Sequence, residues 1–186
     1  MGFFSNLFGK NKPTKSINET QEKGKTEQKP ELIVNSPVAG KVKILSEVSD
    51  QVFSEEMAGK GIAVVPSDDV KVVLSPIKGK IKVAFPTGHA YGISSSVGPE
   101  LLVHIGLDTV ELDGKGFVKK VEVDNEVDTN TELCDLDLTI IKENEKETDI
   151  IVIATNDSIT DSEIVLIANN GDEVKAGDPL YKIVKK

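Results

Sequence analysis

Beyond residue 30, short runs of β-branched and aliphatic residues are interrupted at close intervals by turn-forming residues. The first runs are Leu32–Val34, Lys41–Leu45 and Ile62–Val65, and each is followed within a few residues by serine or proline. β-Branched side chains fit the pleated surface of a sheet better than they fit a helix. The pattern therefore predicts an all-β fold, a compact antiparallel β-sandwich or barrel, in which the only helical turns lie near Val52–Met57 and Leu138–Glu147.

Lys80–Val83 is the clearest of the remaining predicted strands, because charged and apolar residues alternate along it. Such alternation places one face in water and the other face, with Ile81 and Val83, in the core. The other predicted strands are Lys71–Leu74, Tyr91–Ser95, Leu101–Gly106, Phe117–Val123, Ile150–Ala154, Glu163–Ala168 and Leu180–Val184.

Two stretches of the chain are repeated. Ser36–Lys43 (SPVAGKVK) recurs as Ser75–Lys82 (SPIKGKIK), and Asp124–Val127 recurs more loosely as Gly171–Val174. A proline that starts a strand and a glycine three residues later suit a strand that begins at a sheet edge and bends. The repetition predicts a duplicated turn–strand unit wrapped around one core, and lipoyl and biotinyl carrier domains contain the same pieces.

The first thirty residues differ from the rest in composition. Residues 1–10 place phenylalanines and a leucine on one face at helical spacing, and lysines follow. Such an amphipathic segment can lie in a membrane interface, and the same composition is equally consistent with a disordered terminus. Residues 11–30 are almost entirely polar and predict a flexible linker, which leaves 31–186 as the folded domain.

Charge, cysteine content and hydropathy limit where the chain can work. The net charge is −9, which disfavours binding to nucleic-acid phosphates. The single cysteine, Cys134, has no partner for an internal disulfide and lies among apolar residues, so we interpret it as a structural thiol. The sequence has no cleavable secretory signal and no apolar run of the ~20 residues that span a bilayer. We therefore expect a cytoplasmic protein, which the amphipathic segment would hold at the inner face of the membrane.

His89 and His104 are the only histidines in the chain, and each lies in a strand-like segment beside glycine. Within Leu101–Gly106, alternation puts His104 on the face opposite three aliphatic residues, with Gly106 leaving open space beside it. A turn near Gly98–Pro99 would pair the two strands antiparallel. That pairing would bring the two imidazoles onto one patch.

Two imidazoles on one surface can transfer a phosphoryl group. A neutral imidazole, whose ordinary pKa is about 6.5, is a nucleophile toward phosphorus, and a second imidazole can donate a hydrogen bond to the phosphoryl oxygens. The Thr87 hydroxyl can fix one ring. Two alternatives stay open on these residues alone: each histidine is satisfied by a structural hydrogen bond, or both bind zinc with ligands from elsewhere. The chain has no P-loop, no dinucleotide fingerprint and no Gly-x-Ser-x-Gly elbow.

The residues around both histidines resemble one known family. LLVHIGLDTVEL at 101–112, followed by GKGF at 114–117, resembles the active-site signature of the glucose-family IIA phosphocarriers of the bacterial phosphoenolpyruvate-dependent sugar phosphotransferase system. FPTGHAY at 85–91 is similar to the second-histidine segment of that family. The similarity covers roughly residues 32–186, although residues 124–161 match only in outline. Further similar stretches are DQVFS at 50–54, GKGIAV at 59–64 and SPIKG at 75–79.

The resemblance implies a fold of the duplicated hybrid-motif type and the role of a phosphocarrier. It implies that His104 accepts a phosphoryl group on Nε2 from phospho-HPr and passes it to a cysteine on the IIB domain of a glucose-type IIB/IIC sugar permease. His89 would be the supporting imidazole, and Thr87 would orient the site. The protein would act as a phosphotransferase component with a phosphohistidine intermediate and no required cofactor. A zinc ion between His89 and His104, completed by a partner's ligand, is known in the family.

The same resemblance implies a docking surface around the histidines. Asp108 would lie at its rim, near basic residues of the partners, and Phe53, Phe85 and Val110 would form its apolar part. Gly92 stands where related sequences often carry a hydroxyl residue, and this departure bears on partner preference or transfer rate.

Residues 1–10 are similar to the amphipathic N-terminal segment of free-standing family members. This similarity favours contact with a membrane surface, because a tethered carrier meets its permease at a higher effective concentration.

Three alternatives from other classes are consistent with parts of the pattern. A regulatory binding module of the same fold would keep the docking surface without phosphotransfer. A lipoyl or biotinyl carrier would need a Met-Lys-Met hairpin, and a zinc peptidase of similar topology would need a His-x-His pair. The sequence contains neither motif.

Overall fold

The computed structural model describes residues 31–186, and the predicted amphipathic segment (1–10) and linker (11–30) lie outside the described residues. Two short helices, Gln51–Ser54 (α1) and Leu138–Glu143 (α2), accompany the strands. The strands in this part of the chain are Glu31–Asn35 (β1), Gly40–Ile44 (β2), Gly59–Pro66 (β3), Val72–Leu74 (β4), Gly79–Ala84 (β5), Ala90–Ser95 (β6), Glu100–Ile105 (β7), Phe117–Lys119 (β8), Glu126–Val127 (β9), Glu132–Leu136 (β10), Ile150–Thr155 (β11), Ser162–Leu166 (β12), Glu173–Val174 (β13) and Pro179–Lys185 (β14).

Strand pairing in residues 31–186 is antiparallel and divides the strands into three sheets. The largest sheet has the order β13-β2-β3-β11-β7-β6-β5-β9, and the smaller sheets have the orders β1-β14-β12 and β4-β10-β8. The end strands of the largest sheet, β13 and β9, do not pair with each other, so this sheet is not closed. The prediction of an all-β antiparallel fold is confirmed, as a β-sandwich and not as a closed barrel.

The predicted burial of Val83 is wrong. Ile81 is fully buried as expected, whereas Val83 is 44% exposed. The register between β5 and β6 shifts between these two residues. Because an inserted residue reverses the faces of the side chains that follow it, the alternation that points Ile81 inward points Val83 outward.

The region between β8 and β10 also differs from prediction. The sequence predicts one strand over Phe117–Val123, but β8 ends at Lys119. A turn follows, in which the backbone N–H of Asn125 donates to the Glu122 carbonyl (3.1 Å) and the Asn125 side chain accepts from the Glu122 N–H (2.9 Å). β10 is not among the predicted strands, although it forms the centre of its sheet between β4 and β8.

The repeated sequences form repeated structure. In Ser36–Lys43 and in Ser75–Lys82 the serine hydroxyl donates to the carbonyl two residues later, at 2.7 and 2.8 Å, and the glycine begins a strand. The N–H that precedes each repeat, on Asn35 and on Leu74, donates to the proline carbonyl of the other repeat at 3.0 and 2.9 Å. Such a reciprocal exchange relates the two units by an approximate twofold axis.

The looser repeat supplies a partner strand to each unit. β13 pairs with β2 through Val174 and Gly40, and β9 pairs with β5 through Val127 and Gly79. Both units therefore contain a glycine that starts a strand and a short Glu-Val strand beside it. The predicted internal duplication is confirmed.

Two apolar clusters fill the described part of the chain. The larger one lies between the sheets and includes Cys134, which is fully buried; burial raises the pKa of this thiol to about 12, as a structural cysteine requires. The smaller cluster lies on the other face of the largest sheet, against α1, and consists of Leu45, Val48, Phe53, Ala63, Leu107, Ile151 and Ile153.

None of the helices in residues 31–186 is long and apolar enough to cross a membrane.

Candidate functional site

β7 holds His104 on the face of the largest sheet that is turned away from the main core. Leu101, Val103 and Ile105 of the same strand are at most 1% exposed and belong to the larger cluster. His104 points to the opposite face, where its ring centroid lies 5.2 Å from that of Phe53. Since β11 and β6 pair with β7 on both sides, the imidazole stands on a rigid backbone.

His89 directly precedes β6, whose first residue, Ala90, pairs with His104. The N–H of Ile105 donates to the His89 carbonyl at 2.8 Å and extends the ladder by one residue. The centroids of the two imidazole rings are 5.2 Å apart, with the ring planes at 80°. The structure thus brings the two histidines together edge to face on one surface.

Nδ1 of His104 lies 2.8 Å from the carbonyl oxygen of Gly106. Because a carbonyl oxygen can only accept, Nδ1 carries the proton and the neutral ring has its lone pair on Nε2. Burial lowers the pKa of His104, and the hydrogen bond to Gly106 and the carboxylates of Asp50 and Asp108 oppose this lowering. Near neutral pH the ring is therefore an uncharged nucleophile with a defined tautomer.

The prediction that Gly106 leaves open space beside His104 is wrong. Its φ is +72°, and a Cβ there would lie 2.4 Å from Cγ2 of Thr109 and 2.8 Å from the carbonyl oxygen of Glu147. Thr109 is itself fully buried, with its hydroxyl donating to the carbonyl of Ile105 at 2.6 Å. Glycine is required because the chain turns here in a left-handed conformation within a packed site. The same turn directs the Gly106 carbonyl toward His104.

His89 is only 4% exposed, and its Nδ1 lies 2.6 Å from the hydroxyl oxygen of Thr87. Burial, and after it the neighbouring His104, lower the pKa of His89 to about 4. The ring is therefore neutral at physiological pH. When the Thr87 hydroxyl donates to Nδ1, the proton of His89 is on Nε2 and can be donated to another group.

The apolar residues predicted for docking lie at different depths. Phe85 is 42% exposed, with its ring centroid 5.1 Å from that of His89, and Val110 is 51% exposed. Phe53, in contrast, is only 7% exposed. It packs within the smaller apolar cluster with its ring beside that of His104, so it supports the histidine more than it faces solvent.

Asp108 and Gly92 flank the site. Asp108 is exposed and has a φ of +56° at the start of a 3-10 turn, directly after the Gly106-Leu107 segment. Gly92 pairs with Leu102 and so faces the same side of the sheet as His104.

The carboxylate of Asp50 was missed by sequence reasoning. It caps α1 by accepting from the backbone N–H groups of Val52 (2.8 Å) and Phe53 (3.2 Å), and the helix in turn brings Phe53 against His104. Asp50 and Asp108 also line one cleft of about 320 Å³. An aspartate immediately before a helical turn is an N-cap signal, and it would have identified this residue.

The predicted zinc ion would find only part of a site in this chain. The two imidazoles supply two nitrogen ligands, and residues 31–186 contain no group of three or more His, Cys, Asp or Glu side chains arranged to hold a metal ion. Zinc sites in proteins use at least three protein ligands. A zinc ion between His89 and His104 would need a ligand from a partner, and it stays a prediction.

Comparison with known proteins adds two findings. Residues 32–160 match the family model for the phosphoenolpyruvate-dependent sugar phosphotransferase system, EIIA 1. Among solved structures, the chain is similar to the glucose permease IIA from Mycoplasma capricolum, with 40% sequence identity and a TM-score of 0.73. That match covers 82% of this chain and 96% of the other. The segment matched by the family model contains both histidines and their surroundings.

Proposed function

Because the chain belongs to the EIIA 1 family of the phosphoenolpyruvate-dependent sugar phosphotransferase system, we propose that it relays phosphoryl groups through His104. The family makes it a phosphotransferase component of sugar transport. In the proposed relay, His104 accepts the group from phospho-HPr and passes it to a cysteine on the IIB domain of a glucose-type IIB/IIC permease. The supporting observation is the tautomer of His104, with Nδ1–H bound to Gly106 and the lone pair on Nε2.

The accepting step is a nucleophilic substitution at phosphorus. The Nε2 lone pair attacks the phosphorus of the donor phosphohistidine, and the N–P bond of the donor breaks with its electron pair returning to the donor imidazole. The Nδ1 proton of His104 stays in its hydrogen bond to Gly106, where the carbonyl dipole offsets the positive charge that the ring gains. In the donating step, a cysteine thiolate attacks the phosphorus and the electron pair of the N–P bond returns to Nε2.

We assign His89 as the supporting imidazole and Thr87 as the residue that orients it. With the Thr87 hydroxyl donating to Nδ1, His89 would donate its Nε2–H to a phosphoryl oxygen. The low pKa of His89, about 4, keeps this ring neutral. A neutral donor stabilises the transferring group without holding it as tightly as an imidazolium would.

We assign the docking surface to the rim of this site. Phe85 and Val110 offer exposed apolar area, and Asp108 with Asp50 offers negative charge beside His104. Partners with basic patches would be attracted by the net charge of −9, and such attraction speeds a transient encounter. The same charge argues against nucleic acid as a partner.

Incubation with enzyme I, HPr and phosphoenolpyruvate, followed by intact mass measurement, tests the relay. We expect the wild-type protein to gain one phosphoryl group and His104→Ala to gain none, whereas His89→Ala should still gain the group, because His89 is not the nucleophile. The phosphorylated wild type should then lose the group when a IIB domain is added.

Three outcomes would contradict the proposal. Wild-type protein that gains no phosphate would favour a regulatory binding module of the same fold. Equal phosphorylation of wild type and His104→Ala would move the chemistry to another residue. A phosphorylated protein that never passes the group to a IIB domain would remove the carrier function.

A further inference from the structure

An ion pair that the proposed mechanism does not use lies on the same face of the sheet as His104. Lys43 on β2 binds the carboxylate of Asp149, which directly precedes β11. The Asp149 side chain is only 5% exposed and the Lys43 side chain 25%. A buried carboxylate is costly unless it is paired, so this contact fixes the position of Asp149.

The strand register connects this pair to the histidine. Asp149 lies two residues before Ile151, which is directly opposite His104, so Asp149 is the diagonal neighbour of His104 on the same face. Diagonal neighbours in antiparallel pairs are about 7 to 8 Å apart. One row across β2, β3, β11 and β7 contains Lys43, Ala63, Ile151 and His104.

The backbone of Asp149 also holds the residue that sets the tautomer of His104. The N–H of Gly106 donates to the Asp149 carbonyl at 2.9 Å, and the N–H of Leu107 donates to the Glu147 carbonyl at 3.0 Å. The Gly106 carbonyl then accepts from Nδ1 of His104 at 2.8 Å. The orientation of the Gly106 peptide groups therefore depends on where Asp149 is anchored.

We propose that Lys43 and Asp149 are a positioning pair for the phosphoryl-accepting histidine. The ion pair anchors Asp149, Asp149 holds Gly106 through its carbonyl, and Gly106 keeps the proton of His104 on Nδ1. Loss of the anchor lets Gly106 move, and the ring then also populates the tautomer with the proton on Nε2, which cannot attack phosphorus. This inference rests on the proposed function for its kinetic consequence, whereas its effect on the tautomer does not depend on phosphotransfer.

The test compares four variants with the wild type by two measurements. Lys43→Met removes the anchor, Lys43→Arg keeps the charge, and Lys43→Met with Asp149→Asn removes both charges so that no unpaired carboxylate is buried. Tyr181→Phe is the control: it removes a hydrogen bond (3.2 Å) to the carbonyl of Val152 on β11 from the core side and loosens the same strand without touching the pair. The measurements are the ¹⁵N chemical shifts of the His104 ring nitrogens and the single-turnover rate of phosphorylation by phospho-HPr.

We expect Lys43→Met and the double variant to show mixed His104 tautomers and a roughly tenfold slower phosphorylation at saturating phospho-HPr. The phospho-HPr concentration for half-maximal rate should stay unchanged, because the pair does not contact the docking surface. Lys43→Arg and Tyr181→Phe should keep the Nδ1–H tautomer and the wild-type rate.

Several results would overturn the positioning role. The positioning role is wrong if the double variant folds and keeps both the Nδ1–H tautomer and the wild-type rate. It is also wrong if Tyr181→Phe has an equal effect, because the pair would then contribute only to general stability. If the wild type is not phosphorylated at all, the proposed function fails, and the ¹⁵N shifts still decide whether the pair sets the tautomer.

Discussion

At the scale of single residues, the two imidazoles are neutral for a shared reason and are oriented by different groups. Burial is the first cause of the lowered pKa of each ring. His104 is oriented by a carbonyl, which fixes its proton, whereas His89 is oriented by the Thr87 hydroxyl, which can donate or accept. His104 is therefore suited to be a nucleophile, whereas His89 can reverse the direction of its hydrogen bond to Thr87 as charge moves.

The lowered pKa of His89 predicts a pH-dependent loss of stability. Between pH 6.5 and about 4 the unfolded chain binds a proton at this residue that the folded chain does not, so stability falls as the pH is lowered through this window. The difference between a pKa of 6.5 and one of about 4 corresponds to about 3 kcal/mol. Urea unfolding in steps across the window should show that His89→Gln loses less stability than the wild type. Parallel pH profiles of the two proteins would contradict the lowered pKa.

His89→Gln should also separate the two transfer steps. The thiolate of the acceptor carries a negative charge and approaches a negatively charged phosphoryl group, whereas in the accepting step the nucleophile is a neutral imidazole. Loss of the His89 hydrogen-bond donor should therefore slow transfer to the thiolate more than it slows acceptance from phospho-HPr. We expect acceptance from phospho-HPr to stay partly intact and donation to a IIB domain to slow by about 10- to 100-fold. Rapid-quench measurement of both steps checks this, and equal donation rates in the two proteins would remove the supporting role.

At this scale, sequence reasoning identified the two histidines and the Thr87 hydroxyl beside His89, but not the groups that hold His104. Resemblance and strand alternation were sufficient to nominate His89, His104 and Thr87. The carbonyl of Gly106 has no sequence signal, because any residue supplies a carbonyl and only the left-handed turn aims this one. The Lys43–Asp149 pair could not be foreseen either, since its members are 106 residues apart.

At the scale of strands and turns, the duplicated unit depends on a glycine that starts a strand. A Cβ on Gly40 would lie 2.1 Å from the carbonyl oxygen of Val65, and a Cβ on Gly79 would lie 2.4 Å from that of Ser94. Both obstacles are backbone atoms of the paired strand, which cannot move without opening the ladder. The two glycines are therefore equivalent: each permits a close approach of backbones, and neither is needed for a turn.

This crowding predicts matched effects of Gly40→Ala and Gly79→Ala. Each should lower the free energy of unfolding by about 2 to 3 kcal/mol, because a methyl group is forced into a packed site. Gly92→Ala is the control, since its Cβ would come no closer than 3.2 Å to the side chain of the exposed Val83 and 3.6 Å to the Val83 nitrogen, and it should change stability by less than about 1 kcal/mol. Thermal unfolding of the three variants gives the comparison. If Gly40→Ala is as stable as the wild type, β2 and β3 can move apart at little cost and the crowding does not require glycine.

The errors in predicting strands have a common physical origin. The alternation of Lys80–Val83 is genuine, yet its partner strand decides the register, and the shift beside Ile81 exposes Val83. β10 has adjacent buried residues, Leu133 and Cys134, so its pattern is not the simple alternation of a half-buried strand. Strand register and burial therefore depend on pairing with strands that are distant in sequence, which local patterns do not reveal.

At the scale of the whole molecule, an acidic domain is joined to a basic and apolar beginning of the chain. The chain carries 31 acidic and 22 basic side chains, whereas residues 1–10 contain one lysine, no acidic residue and four large apolar side chains besides Met1. An acidic domain is repelled by anionic lipid, and an apolar segment with lysines nearby is attracted to it. We therefore expect the first ten residues to bring the protein to an anionic membrane surface.

Deletion of residues 1–10 tests whether this segment provides membrane binding but no part of phosphotransfer. The shortened protein should lose most of its binding to vesicles that contain anionic phosphatidylglycerol, and its phosphorylation by phospho-HPr should be unchanged, because the site and the pair that positions it are built within residues 43–149. A full-length variant with Phe3→Ser and Phe8→Ser is the control that keeps every charge, and it should behave like the deletion if apolar insertion provides the binding. Co-sedimentation with the vesicles measures the bound fraction, and undiminished binding of the shortened protein would mean that the segment makes no contact with the membrane. If only the lysines mattered, the serine variant would still bind, and high salt would release it along with the wild type.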